Sequence, residues 1–281
     1  MTRFGHIFFF LWINLLMSFA TKAQNLVPNP SFETYIQCPP SNGNFMGGPM
    51  DCPPWFALSS ANWFHVCGDP MYFGVPYNIW GYQYAHTGVA YAGGYFHEPH
   101  EYVQAPLLQT LEAGVCYKVG CWMNLSNESC GADHVGILLS DSPGYFPAGS
   151  IPQVDWQGEF LSDTVNWFFV WDFITAVGNE SYINIGNFYT TFQTEFDPSC
   201  TNPIPFAYYY IDDVIVEEVP SIPFDLFLDA SGSGCDSFLI EPTLVPPLED
   251  ALFEWSTGSH DQSITVYESG EYEVTVTYGC V

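Results

Sequence analysis

The chain reads as an all-β protein, on three observations. Helical periodicity is nearly absent; short β-branched and aromatic runs alternate with Gly, Pro, Asn, Asp and Ser clusters; and aromatic residues reach 18% of the chain. That pattern belongs to a sandwich or barrel. The clearest predicted strands are Val115–Met123, Val135–Ser140, Trp167–Ile174, Tyr182–Phe188 and Ala207–Glu217. In the last of these Tyr208, Tyr210 and Val214 stand at even spacing, so they are expected on one strand face. Residues 37–96 are different: rich in Pro, Gly, Trp and Tyr, and too irregular for regular strands throughout.

A boundary is expected near Val219-Pro220-Ser221-Ile222-Pro223. Beyond it the strand-and-turn rhythm restarts, with strands at Ser263–Tyr267 and Glu271–Tyr278. In the second, Tyr272, Val274 and Val276 alternate with Glu271, Glu273 and Thr275, the mark of a half-buried edge with an acidic outer face.

Export is written in the first residues. Arg3 precedes an apolar run from Ile7 to Phe19, and Thr21-Lys22-Ala23 offers small residues before Gln24. The run is short for a membrane span and ends in a cleavage site, so residues 1–23 read as a signal peptide. No later stretch is apolar enough to cross a membrane as a helix. Localisation is therefore expected to be secreted, extracellular or on the outer cell surface.

Removing residues 1–23 leaves Lys118 as the single Lys or Arg, against 31 Asp and Glu. Nucleic-acid affinity depends on cations that neutralise phosphates, so such partners are excluded. Anionic lipids and sulfated glycans are disfavoured for the same reason. The crowded negative charge points to a saline or calcium-containing medium that screens it.

The nine cysteines are Cys38, Cys52, Cys67, Cys116, Cys121, Cys130, Cys200, Cys235 and Cys280. In an exported chain without a Cys-x-x-Cys pair they favour disulfides over metal thiolates. Cys235 and Cys280 bracket the last segment and are the expected pair; Cys38 with Cys52 would close a Pro- and Gly-rich loop. The odd count leaves one thiol free or paired outside the chain.

Two families become recognisable from ordered motifs. Asn25-Leu-Val-Pro-Asn-Pro-Ser-Phe-Glu33 is followed by Val75-Pro-Tyr-Asn78, Gly81-Tyr-Gln83, Gly88-Val-Ala-Tyr91, Glu101-Tyr-Val-Gln104, Leu111-Glu-Ala-Gly114, Ile183-Asn-Ile-Gly-Asn-Phe188 and Tyr208-Tyr-Tyr-Ile-Asp-Asp-Val214. Together these resemble the galactose-binding-like, carbohydrate-binding-module type of jelly-roll domain in exported Bacteroidota proteins. The tail, Phe253-Glu-Trp-Ser-Thr-Gly258 with Ser263-Ile-Thr-Val266 and Ser269-Gly-Glu-Tyr272-Glu-Val-Thr-Val276, resembles the PKD/immunoglobulin-like repeats of gliding-motility-associated surface proteins. The resemblance implies a jelly-roll β-sandwich over residues 24–219 and a small immunoglobulin-like sandwich over 220–281. Proteins of this kind continue into a type IX sorting domain or an OmpA-type domain. Neither follows Val281, so a fragment or a variant without its sorting signal is expected.

In similar jelly rolls the opening Ser-Phe-Glu and closing Asp-Asp-Val meet beside the first and last strands and hold calcium. The resemblance therefore implies a structural calcium ion at Glu33 with Asp212 or Asp213, and oxygen ligands of that kind suit the ion. The set His97, Glu98, His100 and Glu101 is a further metal candidate, although Pro99 breaks helical ligand spacing. Catalysis has little support. There is no Gly-x-Ser-x-Gly elbow or phosphate-cradling loop, and among 31 acids some carboxylate pairs arise by chance.

The aromatics of the irregular segment carry the binding expectation. Trp55, Trp63, Tyr72, Trp80, Tyr82, Tyr84, Tyr91 and Tyr95 stand among Gly and Pro. Rings exposed on loops stack on sugar faces; rings beneath loops fill a core. Trp80 and Tyr82, with Asn78 and Gln83 beside them, are the expected sugar-contacting residues. Asn124, Asn127 and Asn179 begin Asn-x-Ser sequons of little meaning in a bacterium. Asp163-Thr164-Val165 matches a short O-glycosylation pattern. The function expected is a non-enzymatic surface binding or adhesion module for glycan or a neighbouring surface component. The alternatives are a structural surface or matrix protein without ligand, and a glycan-active hydrolase.

Overall fold

In a computed structural model, residues 23–41, 47–97, 100–144, 146, 149–157, 160–202, 205–232 and 237–280 are described. The expected signal peptide lies outside the described residues except for Ala23, as do Glu98, Pro99 and Cys235. The irregular segment contributes only short strands: β1 (Gly48–Pro49), β2 (Phe56–Leu58), β3 (Asn62–His65), β4 (Tyr77–Asn78) and β5 (Gly81–Tyr82). Eight longer elements follow: β6 (Ala90–Tyr95), β7 (Tyr102–Pro106), β8 (Cys116–Leu125), β9 (His134–Ser140), β10 (Val154–Gln157), β11 (Phe168–Thr175), β12 (Tyr182–Gly186) and β13 (Tyr208–Glu218).

Their pairing decides the architecture. One sheet runs β11-β8-β13-β6-β3, the other β1-β2-β7-β12-β9-β10, and the pairs are antiparallel. From β6 to β13 the chain crosses between sheets at every step except β9 to β10, which is jelly-roll connectivity. β1, β2 and β3 extend the two sheets at their rims. The strands expected from sequence around β8, β9, β11, β12 and β13 form within one or two residues of their predicted ends.

Alternation builds the core. Along β8, Tyr117, Val119, Cys121, Met123 and Leu125 turn inward and are all buried, facing Val103, Ala105, Ile183, Ile185, Ile137 and Leu139 of the other sheet. Tyr209 and Ile211 of β13 join them, whereas Tyr208 and Tyr210 point to the outer face. Val214 does not share that outer face, contrary to the even-spacing expectation. The register shifts between Asp212 and Ile215, where Asp213 adopts a φ of 44°, and this bulge returns Val214 to the main core.

The outer face of the five-stranded sheet is covered by the chain from 66 to 89. There Phe64, Phe73, Tyr91, Tyr208 and Tyr210 form a second buried cluster, with Tyr72, Trp80, Tyr95 and Trp167 packed against it. Most aromatics of the irregular segment are therefore core residues. Trp55, Trp63 and Tyr91 are all at most 5% exposed.

Beyond residue 224 the strands separate into their own sheets. β14 (Asp225–Ser231), β15 (Phe238–Val245) and β17 (Ile264–Val266) form one; β16 (Leu252–Trp255) and β18 (Val274–Thr277) form the other. A small cluster of Trp255, Ile264 and Val266 lies between them. This unit is tied to the start of β8: Cys280 is disulfide-bonded to Cys116, Val219 N–H donates to the Cys116 carbonyl, and Lys118 Nζ lies 2.7 Å from Asp250 Oδ1.

The cysteine expectations are corrected here. Cys280 pairs with Cys116 rather than Cys235, and Cys38 pairs with Cys67 rather than Cys52; the third bond joins Cys130 and Cys200. Cys52 and Cys121 are buried free thiols, and burial pushes both above the usual thiol range. The physical reason is that these bonds join segments that only the tertiary fold brings together, with separations of 29, 164 and 70 residues. Nearness in sequence carries no information about such partners. Three disulfides place the folded chain in an oxidising, extracellular or surface setting.

Candidate functional site

The hairpin β4–β5 carries two solvent-exposed tyrosines, Tyr77 and Tyr82. Its turn is built by Asn78, whose Oδ1 accepts the Trp80 N–H at 2.8 Å, an Asx-turn. Tyr77 is cross-strand partner to Tyr82, and Asn78 to Gly81. Gly81 has a φ of 137°, and a Cβ there would lie 2.4 Å from Asn127 Oδ1. That space lets the Asn127 carboxamide lie against the hairpin and accept the Tyr82 N–H at 2.6 Å.

The four sequence-predicted residues divide into anchors and surface. Asn78 is buried: its Nδ2 donates to Tyr91 Oη, and Tyr210 Oη donates to its Oδ1, both at 2.9 Å. Gln83 is buried too, its Nε2 donating to the Val165 carbonyl and its Oε1 accepting the Tyr84 N–H. Trp80 is half-buried, its ring 4.6 Å from that of Tyr208 and 5.3 Å from that of Tyr95. These three fasten the hairpin to the sheet. Only Tyr82 faces outward, at 41% exposure.

Around Tyr82 stand two residues outside the expected set. Tyr77, 61% exposed, meets Tyr82 edge-on at 4.6 Å; Tyr84, 62% exposed, meets it at 5.5 Å and 80°. Hydrogen bonding between the Tyr82 and Tyr84 hydroxyls pushes the Tyr82 phenol up to about 12. The result is a fixed patch of three phenol rings, with exposed Asn127 and Glu128 alongside. The sequence held a partial signal for it: Tyr77 faces Tyr82 across a short turn, whereas Tyr84 lies beyond the end of β5.

A separate apolar groove of about 360 Å³ lies on the six-stranded sheet, lined by Phe56, Pro106 and Tyr182 among others. On its floor Gln104 Nε2 donates to Asn184 Oδ1, and Asn184 Nδ2 donates to the Leu138 carbonyl and Ser140 Oγ. These amides serve one another, so the groove lacks the outward polar groups a sugar needs.

The expected calcium residues do gather at one place. Asn25 bridges to Glu217, and Leu26 N–H donates to the Val216 carbonyl, so the opening segment runs beside β13. In an ideal strand Asp212 and Asp213 would face opposite ways; the bulge turns both onto the loop 86–90. Asp212 Oδ2 accepts the N–H groups of His86 and Thr87, and its Oδ1 accepts that of Asp213. Asp213 accepts from the Ser31 and Thr87 hydroxyls and pairs with His86 Nδ1, whose ring stacks on Trp122 at 4.1 Å. Glu33 Oε1 accepts the N–H groups of Val89 and Ala90. Gly88 is required there, since a Cβ would fall 2.2 Å from that oxygen.

Donors of the loop 86–90, with the Ser31 hydroxyl and the Asp213 N–H, thus bond to these carboxylates. Among the described residues no group of three or more His, Cys, Asp and Glu is placed to hold a metal ion. No role is derived for a calcium ion at these residues. Burial, then the charge of Asp213, pushes the Asp212 carboxyl up to about 8, against the pull of its three N–H donors.

The His-containing loop does not gather a metal set among the described residues either. Glu101 is 1% exposed; its carboxylate accepts the Ser60 hydroxyl and the Tyr95 N–H, and burial raises its pKa. His97 packs on Phe196 at 4.4 Å. Asp163 caps its own turn through the N–H groups of Val165 and Asn166, and those bonds hold its carboxyl below the usual range.

No family model matches the chain, and no curated protein sequence matches it. Several solved structures overlap it loosely. The module TmCBM61, solved with β-1,4-galactotriose, is 17% identical at a TM-score of 0.35, covering 70% of this chain and 100% of that one. The CBM22-1 xylan-binding domain of Xyn10C from Paenibacillus barcinonensis is 11% identical at 0.37, covering 72% and 99%. The K3 cleaved adhesin domain of Lys-gingipain from Porphyromonas gingivalis is 14% identical at 0.34, covering 57% and 93%. At TM-scores this low the likenesses leave function to be argued from the site itself.

Proposed function

We propose that the protein is a non-enzymatic module, displayed outside the cell, that binds neutral glycan through Tyr77, Tyr82 and Tyr84. In this reading residues 24–219 are the binding jelly roll and residues 220–281 an immunoglobulin-like spacer. The observation that carries it is the fixed, exposed tyrosine cluster. Phenol rings offer flat apolar faces to the C–H side of a sugar, while their hydroxyls and the Asn127 carboxamide meet its hydroxyls. Neutral sugars are favoured because the mature chain has only Lys118 to offset an anionic one. Lys118 is itself engaged with Asp250 and lies over the Trp171 ring at 4.6 Å.

The test is a glycan array probed with the full chain, followed by titration calorimetry on the best neutral oligosaccharide. Tyr82→Ala and Tyr84→Ala, both at exposed positions, are expected to weaken binding about tenfold or more, the worth of one well-placed ring. Absence of any neutral-glycan signal, or unchanged affinity in both variants, would remove this reading. A hydrolysed product in the calorimeter cell would replace it with an enzymatic one.

A further inference from the structure

The C-terminal unit presents a sheet edge of unusual openness. β14 keeps unbroken register with β15, from Asp225 opposite Val245 to Ser231 opposite Leu239. All of its 7 residues are exposed. It ends the sheet order β14-β15-β17, so its outer side offers backbone N–H and C=O groups with no ladder partner among the described residues. Leu226 and Leu228 share a face with Leu244 and Pro242, which are buried, yet they remain 38% and 47% exposed. The two-stranded β16–β18 sheet leaves them uncovered. Phe227, on the opposite face, is 55% exposed.

Natural edge strands are blunted by Lys, Pro, a bulge or a covering loop, because an open edge recruits other strands. β14 has no Lys, no Pro and no register shift. Charge decides what it can recruit. Asp225 and Asp229 stand two residues either side of Phe227 and on its face. A second copy pairing antiparallel about Phe227 would set Asp225 of each chain opposite Asp229 of the other. Residues 220–281 contain no Lys or Arg to relieve that, and Asp229 already faces Glu241 within its own sheet. Like charges directly opposite are destabilising in a ladder, and opposite charges are stabilising.

We infer that β14 is a docking edge for an extended segment of another protein, apolar at its centre and carrying Lys or Arg two residues to either side. The segment adds as a further strand. Its main chain completes the ladder, its central residue meets the Phe227 face, its neighbours cover Leu226 and Leu228, and its cations oppose Asp225 and Asp229. This contact is independent of glycan binding, since the tyrosine cluster lies on the jelly roll.

The probe is the synthetic peptide Thr-Lys-Leu-Val-Leu-Lys-Thr, with a twin bearing Glu in place of Lys. Each is added to the full chain at low ionic strength and followed by hydrogen–deuterium exchange and calorimetry. The Lys peptide is expected to slow exchange across residues 225–231 and to bind at least about tenfold more tightly than the Glu twin. In the double variant Asp225→Lys, Asp229→Lys, at exposed positions, the preference inverts. Unchanged hydrogen-exchange protection of β16 around buried Trp255 confirms that the unit remains folded in that variant. Equal binding of the two peptides, no slowing at 225–231, or an unchanged preference in the double variant overturns the inference. Slowing that grows with protein concentration without peptide overturns it in favour of a second copy.

Discussion

Asp212→Asn tests the electrostatics at the junction of the first and last strands. In the fold the Asp212 carboxyl is raised to about 8, against an ordinary value of 3.8, because it is buried and beside Asp213. A group raised in the folded state stabilises the fold while protonated there and loses that contribution as pH rises through the folded value. Between about pH 4 and 8 the folded chain holds a proton that the open chain releases. Stability therefore falls by about 1.4 kcal/mol per pH unit from this group alone, and by roughly 6 kcal/mol over the whole interval. The substituted carboxamide cannot titrate. Its NH2 must face one of the three N–H donors, which costs stability, but equally at every pH. The measurement is guanidinium unfolding of both proteins at pH 5, 6 and 7, and the readout is the change in their difference. Wild type should lose roughly 3 kcal/mol relative to the D212N variant between pH 5 and 7. A difference that stays flat would mean that the three N–H donors hold the carboxylate ionised, and the reasoning fails.

Three other outcomes follow from the same geometry. Trp80→Ala should cost about 2–3 kcal/mol in unfolding experiments, because its half-buried ring packs on Tyr208 and Tyr95, whereas Tyr82→Ala should cost well under half as much. Equal costs would refute the division into anchor and surface. Cys280→Ser should release the C-terminal unit from β8, seen as faster proteolysis and hydrogen exchange in residues 225–277 with the jelly roll unchanged; unchanged exchange would deny the tether. Calcium and chelator should leave the melting temperature unchanged, because Glu33, Asp212 and Asp213 each already accept hydrogen bonds from neighbouring groups; a calcium-dependent rise would restore the ion.

How far the candidate site was legible can be followed residue by residue. Asn78, Trp80, Tyr82 and Gln83 do fall on or beside one hairpin, but the sequence put Trp80 among its first choices for the surface, named Tyr84 only among the loop aromatics and did not single out Tyr77. A ring's exposure depends on what lies beneath it, and the Tyr208 surface under Trp80 comes from the last strand of the jelly roll, more than a hundred residues away. Glu33, Asp212 and Asp213 do lie beside the joined first and last strands. Their partners are N–H groups, hydroxyls and the His86 ring, most of them on a loop that only the folded chain places there.

By itself the sequence determined the strands, because period-two alternation and turn residues act locally: β8, β9, β11, β12 and β13 lie where the pattern placed them. It also determined the charge balance, which is a matter of counting. The tertiary structure alone decided the disulfide partners, the face of Val214 and the division of the aromatics between core and surface. Disulfide choice depends on which segments the fold packs together, 164 residues apart for Cys116 and Cys280. The face of Val214 depends on a single bulged residue, Asp213, that reverses the parity of everything after it. The surface role of Tyr77, Tyr82 and Tyr84 depends on a second aromatic core beneath them, a property of packing that no local pattern contains.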